Sequence, residues 1–283
     1  MLTIATVPKP FKNPHINIIQ RNAIQSWIRL SPRPQVILFG NDEGIGDVAK
    51  EFGILHIPEI QNEFGVPLLS SVFSVTKKMS ENPYIAYINT DIVLMNDFIE
   101  AIKLIKFPKF LMAGRRWDVD IKEPIQFERT NWGKEIWQRV ASEGKIHGPA
   151  GMDYFVFPRN LDLGLPNFVA GRPGYDSWML YKARSIDIPV IDATRMVKII
   201  HQKHGYSHRQ GGEKDVLKKP EGKRNIELAG GFSQMLTLRD ADWVLGPDGA
   251  KRPDFPERIF PLLSLFYPWR LLLALKRRIQ QVF

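Results

Sequence analysis

Residues 84–94 read YIAYINTDIVL, an apolar run that ends abruptly in Asn89, Thr90 and Asp91 and then becomes apolar again. A run of β-formers bounded by polar residues reads as a buried strand, and this one delivers a carboxylate to its own tip. A carboxylate fixed there can hold a hard divalent cation through oxygen while the ion's remaining positions stay open to phosphate oxygens. The plain alternative is that Asp91 caps the helix beginning near Asn96, or closes a turn. Taken alone, the stretch leaves these two readings level.

The neighbouring segments set the fold class. Residues 2–7 are rich in β-formers and are halted by Pro8, Lys9 and Pro10. Residues 17–30 carry Ile18, Ile19, Ala23, Ile24, Trp27, Ile28 and Leu30 at helical spacing, and residues 35–40, QVILFG, form a second buried strand. Strand, helix and strand in this order imply a right-handed crossover and a parallel sheet. Sites in such sheets lie beyond the carboxyl ends of the strands, so Pro8, Lys9, Asp42 and Asp91 are expected on one edge. Further helices are expected over 45–52, 68–79 and 97–105, and further strands over 54–57, 110–114, 151–158, 190–192 and 196–200. The expected architecture is α/β, a Rossmann-like, mostly parallel central sheet flanked by helices.

Several polar residues stand out against this frame. Arg115 and Arg116 follow a strand and either clamp an anion together or form an ordinary surface pair. Residues 118–147 are irregular, polar and tryptophan-bearing, and read as an insertion over a site. Asp153 interrupts the apolar GMDYFVFP, so it is either hydrogen-bonded structurally or faces a ligand. Asp176, after the glycine- and proline-rich GRPGY, is equally an N-cap and a catalytic base. His201, His204 and His208 fall within the octet HQKHGYSH, a clustering that points to metal or phosphate contact. An offset of three would put His201 and His204 on opposite faces of a continuing strand, which argues against all of them holding one ion.

The chain has 283 residues, 44% of them hydrophobic, enough for a full core. Its 39 basic residues against 30 acidic give a net charge of +9, which favours anionic partners. Cysteine is absent, excluding a disulfide framework, a thiol nucleophile and a zinc–thiolate site. The amino terminus lacks the pattern of a signal peptide. Together these features give the expectation of a cytoplasmic chain. Residues 211–257 read as a basic loop region. Residues 258–283 form an amphipathic helix with Leu271, Leu272, Leu275, Ile279 and Val282 on one face, which either docks on the domain or lies peripherally on the anionic inner face of a membrane.

With these stretches assembled, the chain resembles a GT-A fold glycosyltransferase, of a nucleotide-diphospho-sugar transferase-like group of bacteria and plants. The likeness rests on TVPKPF, RNAIQSW, ILFGNDEG, NEFGVPLLSS, YINTDIVL, GMDYFVFP, GRPGYDSWML and IIHQKHGYSH in this order. It implies a glycosyltransferase domain over 1–210, with a nucleotide-binding half at 1–115 and an acceptor half at 116–210. Thr6, Pro8, Lys9, Asp42, Leu68 and Ser70 would line the nucleoside pocket, joined on the donor side by Thr90, Arg115 and Arg116. Asn89 and Asp91 match the outer positions of the family's Asp-x-Asp metal motif, with asparagine in place of the first acid. His201, with His204 as second choice, resembles the late histidine that completes the metal shell around Mn²⁺ or Mg²⁺. Asp176 resembles the general base of an inverting transfer, and Asp153 and Trp178 go with the acceptor. The partners implied are a nucleotide-diphosphate sugar and a glycan or glycolipid acceptor. A sugar-phosphate nucleotidyltransferase is disfavoured because PKPF stands where its glycine-rich basic loop belongs. A non-enzymatic nucleic-acid or membrane binder is disfavoured because the aromatics are not interleaved with the basic clusters.

Overall fold

The computed structural model describes residues 1–204, 219–257, 259–263 and 272. The first half comprises β1 (Leu2–Thr6), α1 (Pro14–Ile28), β2 (Gln35–Phe39), α2 (Ile45–Phe52), β3 (Leu55–Ile57) and the hairpin β4 (Asn62–Glu63) and β5 (Val66–Pro67). Then come α3 (Leu69–Met79), β6 (Tyr84–Ile88), β7 (Ile92–Val93), α4 (Asp97–Lys103) and β8 (Leu111–Ala113). They are followed by β9 (Arg116–Val119), α5 (Trp132–Glu143), β10 (Lys145–Ile146), β11 (Tyr154–Pro158) and α6 (Tyr175–Ser185). The last elements are β12 (Val190–Asp192), β13 (Ile199–Gln202), α7 (Pro220–Leu228), β14 (Trp243–Gly246), β15 (Gly249–Lys251) and α8 (Ile259–Leu263).

The main sheet has nine strands in the order β15-β14-β12-β8-β11-β6-β1-β2-β3. The strands β3, β2, β1, β6, β8, β12 and β14 run one way, and β11 and β15 run the other. Side chains alternate across it as strand geometry requires. Ile4, Leu38, Ala86 and Ile88 pack with Trp27, Ile45 and Phe98 of α1, α2 and α4 on one face. Ala5, Ile37, Phe39 and Tyr87 pack with Leu69, Val72 and Met179 of α3 and α6 on the other. Helix α1 starts cleanly because Pro14 follows an N-cap, Asn13, whose side chain accepts from the Ile16 amide at 3.0 Å.

Four short strands, β10-β9-β13-β7, make a second sheet that begins where β6 ends, since β7 follows directly after Asp91. Its own core is Val93, Val119, Ile121, Ile136, Val140 and Ile200, with Ile136 and Val140 supplied by α5. Within residues 118–147, expected to be an irregular insertion, the end of β9, α5 and β10 are regular, and residues 120–131 carry neither helix nor strand. Residues 219–257 also depart from the basic loop expected. Pro220–Leu228 is helical, Asn225 is fully buried and bonds both the amide and the carbonyl of Val169, and β14 and β15 extend the main sheet. Short edge strands carry too few residues for an alternating pattern to show, and glycine at Gly246 and Gly249 obscures it further.

His208 and most of the amphipathic stretch at 258–283 lie outside the described residues. Among the described residues, no helix is long and apolar enough to cross a membrane.

A buried polar network fastens the second sheet to α1. Asn22 Nδ2 donates to Gln202 Oε1 at 2.9 Å, and Gln202 Nε2 donates to the carbonyls of Ile19 at 2.8 Å and Asp91 at 3.2 Å. Both side chains are at most 1% exposed, with Gln202 at 0%. Replacing Gln202 by Leu removes these three bonds, each worth about 0.5–1.5 kcal/mol net, while Asn22 Nδ2 keeps the Glu123 carbonyl and the Asp91 carbonyl keeps the backbone amide of residue 202. The expected outcome is a clear fall in the urea unfolding midpoint at unchanged m-value, measured by circular dichroism.

Candidate functional site

The carboxyl ends of β1, β2 and β6 place Pro8 and Lys9, Asp42, and Asn89 to Asp91 on one edge of the main sheet. The loop after β1 and the turn after β2 pack closely: a Cβ added at Gly44, which sits at φ +85°, would lie 2.8 Å from Phe11 Cβ. Asp91 does not cap a helix; the N-cap of α4 is Asn96. Its Oδ2 lies 2.9 Å from His204 Nε2 and 3.7 Å from His201 Nε2. One ligand atom from each of Asp91, His201 and His204 falls within 4.8 Å of the others, a spacing that can hold one metal ion. Asp91 Oδ1 is buried and has no hydrogen-bond partner among the described residues. A buried carboxylate oxygen without a donor is costly, so the donor set fits a cation.

Both histidines reach the same carboxylate because β13 stops at Gln202. The strand ends before His204, so the opposite-face arrangement of a continuing strand does not apply. Lys9 Nζ lies 3.2 Å from His204 Nε2.

Behind the histidines lies a second row of charge. His201 pairs in register with Asp118 across β13 and β9, and its Nδ1 lies 2.8 Å from Asp118 Oδ1. Asp118 Oδ2 lies 2.7 Å from His147 Nδ1, just past β10. Arg116, two residues from Asp118 and so on the same face of β9, donates from Nε to Asp118 Oδ1 at 2.9 Å and from Nη1 to Asp153 Oδ2 at 2.6 Å. Asp153 Oδ1 in turn accepts from Asn89 Nδ2 at 2.6 Å.

These contacts set the charge states. Burial works to raise the Asp91 carboxyl, but the charge of His201, the hydrogen bond to His204 and the charge of Lys9 outweigh it and hold Asp91 well below the usual carboxylate range. Burial likewise opposes ionisation of Asp118, and bonds to His201 and His147 with the charge of Arg116 overcome it. For His201, burial pushes the imidazole down, yet the Asp91 charge and the Asp118 bond raise it above its ordinary value. Asp176 differs: burial raises its carboxyl, only partly offset by the amides of Ser177 and Gly174, which donate to Oδ1 at 2.8 and 3.3 Å. It stands at the start of α6, and the charge of Asp153 also pushes its carboxyl up.

Several expected site residues take other positions. Thr6 and Thr90 are buried, and their hydroxyls bond each other at 2.7 Å, tying the tips of β1 and β6. Trp178 lies in the core, 7% exposed, with its ring edge-on to Phe168, so it is not open to an acceptor; its position on α6 faces the sheet. Arg115 and Arg116 do not form a joint clamp, because adjacent residues point apart: Arg115 Nε donates to the His147 carbonyl at 2.6 Å while Arg116 serves Asp118 and Asp153. Leu68 is 7% exposed, and Ser70 donates its hydroxyl to Asn167 Oδ1 at 2.7 Å. Pro8 is buried, whereas Lys9 and Asp42 are exposed at the edge. Asp118 and His147 were not legible as site residues; the one signal for Asp118 is its spacing of two from Arg116 within RRWD.

No family model matches the chain, and no curated protein matches it. Solved structures that resemble it include TarS 1-349 of S. aureus (10% identity, TM-score 0.42, covering 72% of this chain and 58% of that one). GalNAc-T7 with UDP, GalNAc and Mn²⁺ aligns at 13% identity and TM-score 0.48, over 81% of this chain and 48% of that one. The mannosyltransferase PcManGT from Pyrobaculum calidifontis in complex with GDP-Man and Mn²⁺ aligns at 14% identity and TM-score 0.45, over 97% and 73%. The chain thus spans about half the length of the first two.

The Asn89 amide explains why an acid is absent there. Its N–H group faces Asp153 Oδ1, so Asn89→Asp sets two carboxylates together in place of a charge-assisted hydrogen bond worth about 1.5–3 kcal/mol. The variant is expected to unfold at lower temperature than the wild type at neutral pH. Differential scanning calorimetry measures this.

Proposed function

We propose that this chain is a metal-dependent glycosyltransferase that moves a sugar from a nucleoside diphosphate to an acceptor hydroxyl of a glycan or glycolipid. The observation that carries the reading is the group of Asp91, His201 and His204, with Asp91 Oδ1 lacking a donor among the described residues, at the carboxyl edge of a mostly parallel sheet and beside Lys9. The ordered motifs of the sequence support the same reading.

Asp91, His201 and His204 would hold the ion. Two imidazoles in the donor set favour a first-row transition ion such as Mn²⁺ over Mg²⁺, which takes oxygen ligands. When bound, the ion supplies positive charge to the diphosphate as it departs. Lys9 Nζ, exposed at the same edge, adds a second cation for the phosphate oxygens. Asp42, at the tip of β2, is offered to the nucleoside. Asp176 is the general base: its raised carboxyl is better matched to taking a proton from a hydroxyl than an ordinary aspartate. The transfer is then a direct displacement with inversion, in which the acceptor oxygen bonds to the anomeric carbon, the bond to the diphosphate breaks, and the proton passes to Asp176.

Two measurements test this reading. In thermal-shift assays with UDP- and GDP-sugars, stabilisation is expected with Mn²⁺ present and lost in Asp91→Asn, because a ligand that binds only the native state raises its melting temperature. No shift with any nucleotide sugar counts against the assignment. Asp176→Asn is expected to lower turnover by about 10²–10⁴-fold while leaving the Mn²⁺-dependent shift intact; near-normal turnover removes Asp176 from its role.

A further inference from the structure

Asp118 stands outside the group of ligand atoms from Asp91, His201 and His204, yet it accepts from three groups at once. His201 Nδ1 and Arg116 Nε share its Oδ1, and His147 Nδ1 meets its Oδ2. The side chain is 16% exposed. Arg116 and His147 are themselves secured: Arg116 also bonds Asp153, while the His147 amide donates to the Arg116 carbonyl at 2.8 Å and its own carbonyl accepts from Arg115 at 2.6 Å. The carboxylate is therefore held from both sides.

An ionised carboxylate only accepts hydrogen bonds, so the 2.8 Å contact requires the proton of His201 to sit on Nδ1. A neutral imidazole carries one proton, and Nε2 is then left with its lone pair, facing Asp91 at 3.7 Å. Asp91 competes for that same proton. Without Asp118, the neighbouring Asp91 carboxylate would draw an Nε2–H, and the ring would present a donor where a metal needs a lone pair. The shorter contact to Asp118 decides the contest. We propose that Asp118 is the positioning residue of the metal site: it selects the His201 tautomer and orientation that offer Nε2 to the ion, with Arg116 and His147 holding Asp118 in place. Partners of this kind around a metal-binding histidine are generally worth 10–100-fold in affinity. The role rests on the metal reading of Asp91, His201 and His204 given above.

The test is isothermal titration of Mn²⁺ into the full chain without any sugar donor, on the wild type, Asp118→Ala, His201→Ala and the double variant. Asp118→Ala is expected to weaken Mn²⁺ binding by about 10–100-fold. In the His201→Ala background it is expected to cost nothing further, since Asp118 acts through that ring. Asp118→Asn, which can still present a carbonyl oxygen to Nδ1, is expected to fall between wild type and Asp118→Ala. Should Asp118→Ala fail to fold, Asp118→Ser, whose hydroxyl is too short to replace the contact, carries the same cycle. Losses that multiply in the double variant, or an Asp118→Ala protein that binds Mn²⁺ as the wild type does, overturn the role of Asp118 and leave the metal site standing. A wild type that takes up no Mn²⁺ overturns the metal reading, and this role with it.

Discussion

Three carboxylates brought to one sheet edge must be neutralised together, and this constraint shapes everything around them. Removing one member of a buried ion pair leaves a charge that is strongly destabilising. The observed solution is a closed circuit. Asn89 holds Asp153, Asp153 and Asp118 share Arg116, Asp118 holds His201, and His201 faces Asp91, two residues beyond the starting asparagine. The circuit draws on β9, β13, the loop after β6 and the approach to β11, so charge fixes the second sheet to the first. Among the described residues it leaves Asp91 Oδ1 without a donor, and this is the point at which the proposed cation would balance the edge.

The sequence announces the parallel half of the sheet because its strands are buried on both faces and read as uninterrupted apolar runs, with β1, β2 and β6 each closed by a polar or proline-bearing tip. Asp91, His201 and His204 were legible for the same reason: ionisable residues at the end of such runs have few structural explanations. Asp118 and His147 were not, since Asp118 lies in, and His147 just past, short strands of a small sheet whose pairing partners lie far away in sequence. Trp178 illustrates the opposite error. A tryptophan two residues from a candidate base looks like a platform for a sugar, but its side of α6 is the one that the sheet covers. Residues of one motif share a location in the chain without sharing a direction in space. Where a strand stops matters as much as its parity, as the end of β13 at Gln202 demonstrates for the two histidines.

The reversed strand β11 bears on how the protein comes to be made. It lies between β6 and β8, and pairs antiparallel with both. Chain synthesis delivers β1, β2, β3, β6 and β8 first, but on its β6-facing side β8 has no partner until residues 154–158 have left the ribosome. The early segments therefore emerge with open strand edges, exposed to wrong partners, until the middle of the chain inserts between them. The finished fold brings together segments more than 80 residues apart in sequence, such as Thr6 with Thr90 and Asp118 with His201. Pairings of that separation slow folding. The arrangement that seats Asp153 among the carboxyl ends of its neighbours thus ties assembly of the site to the late arrival of one strand.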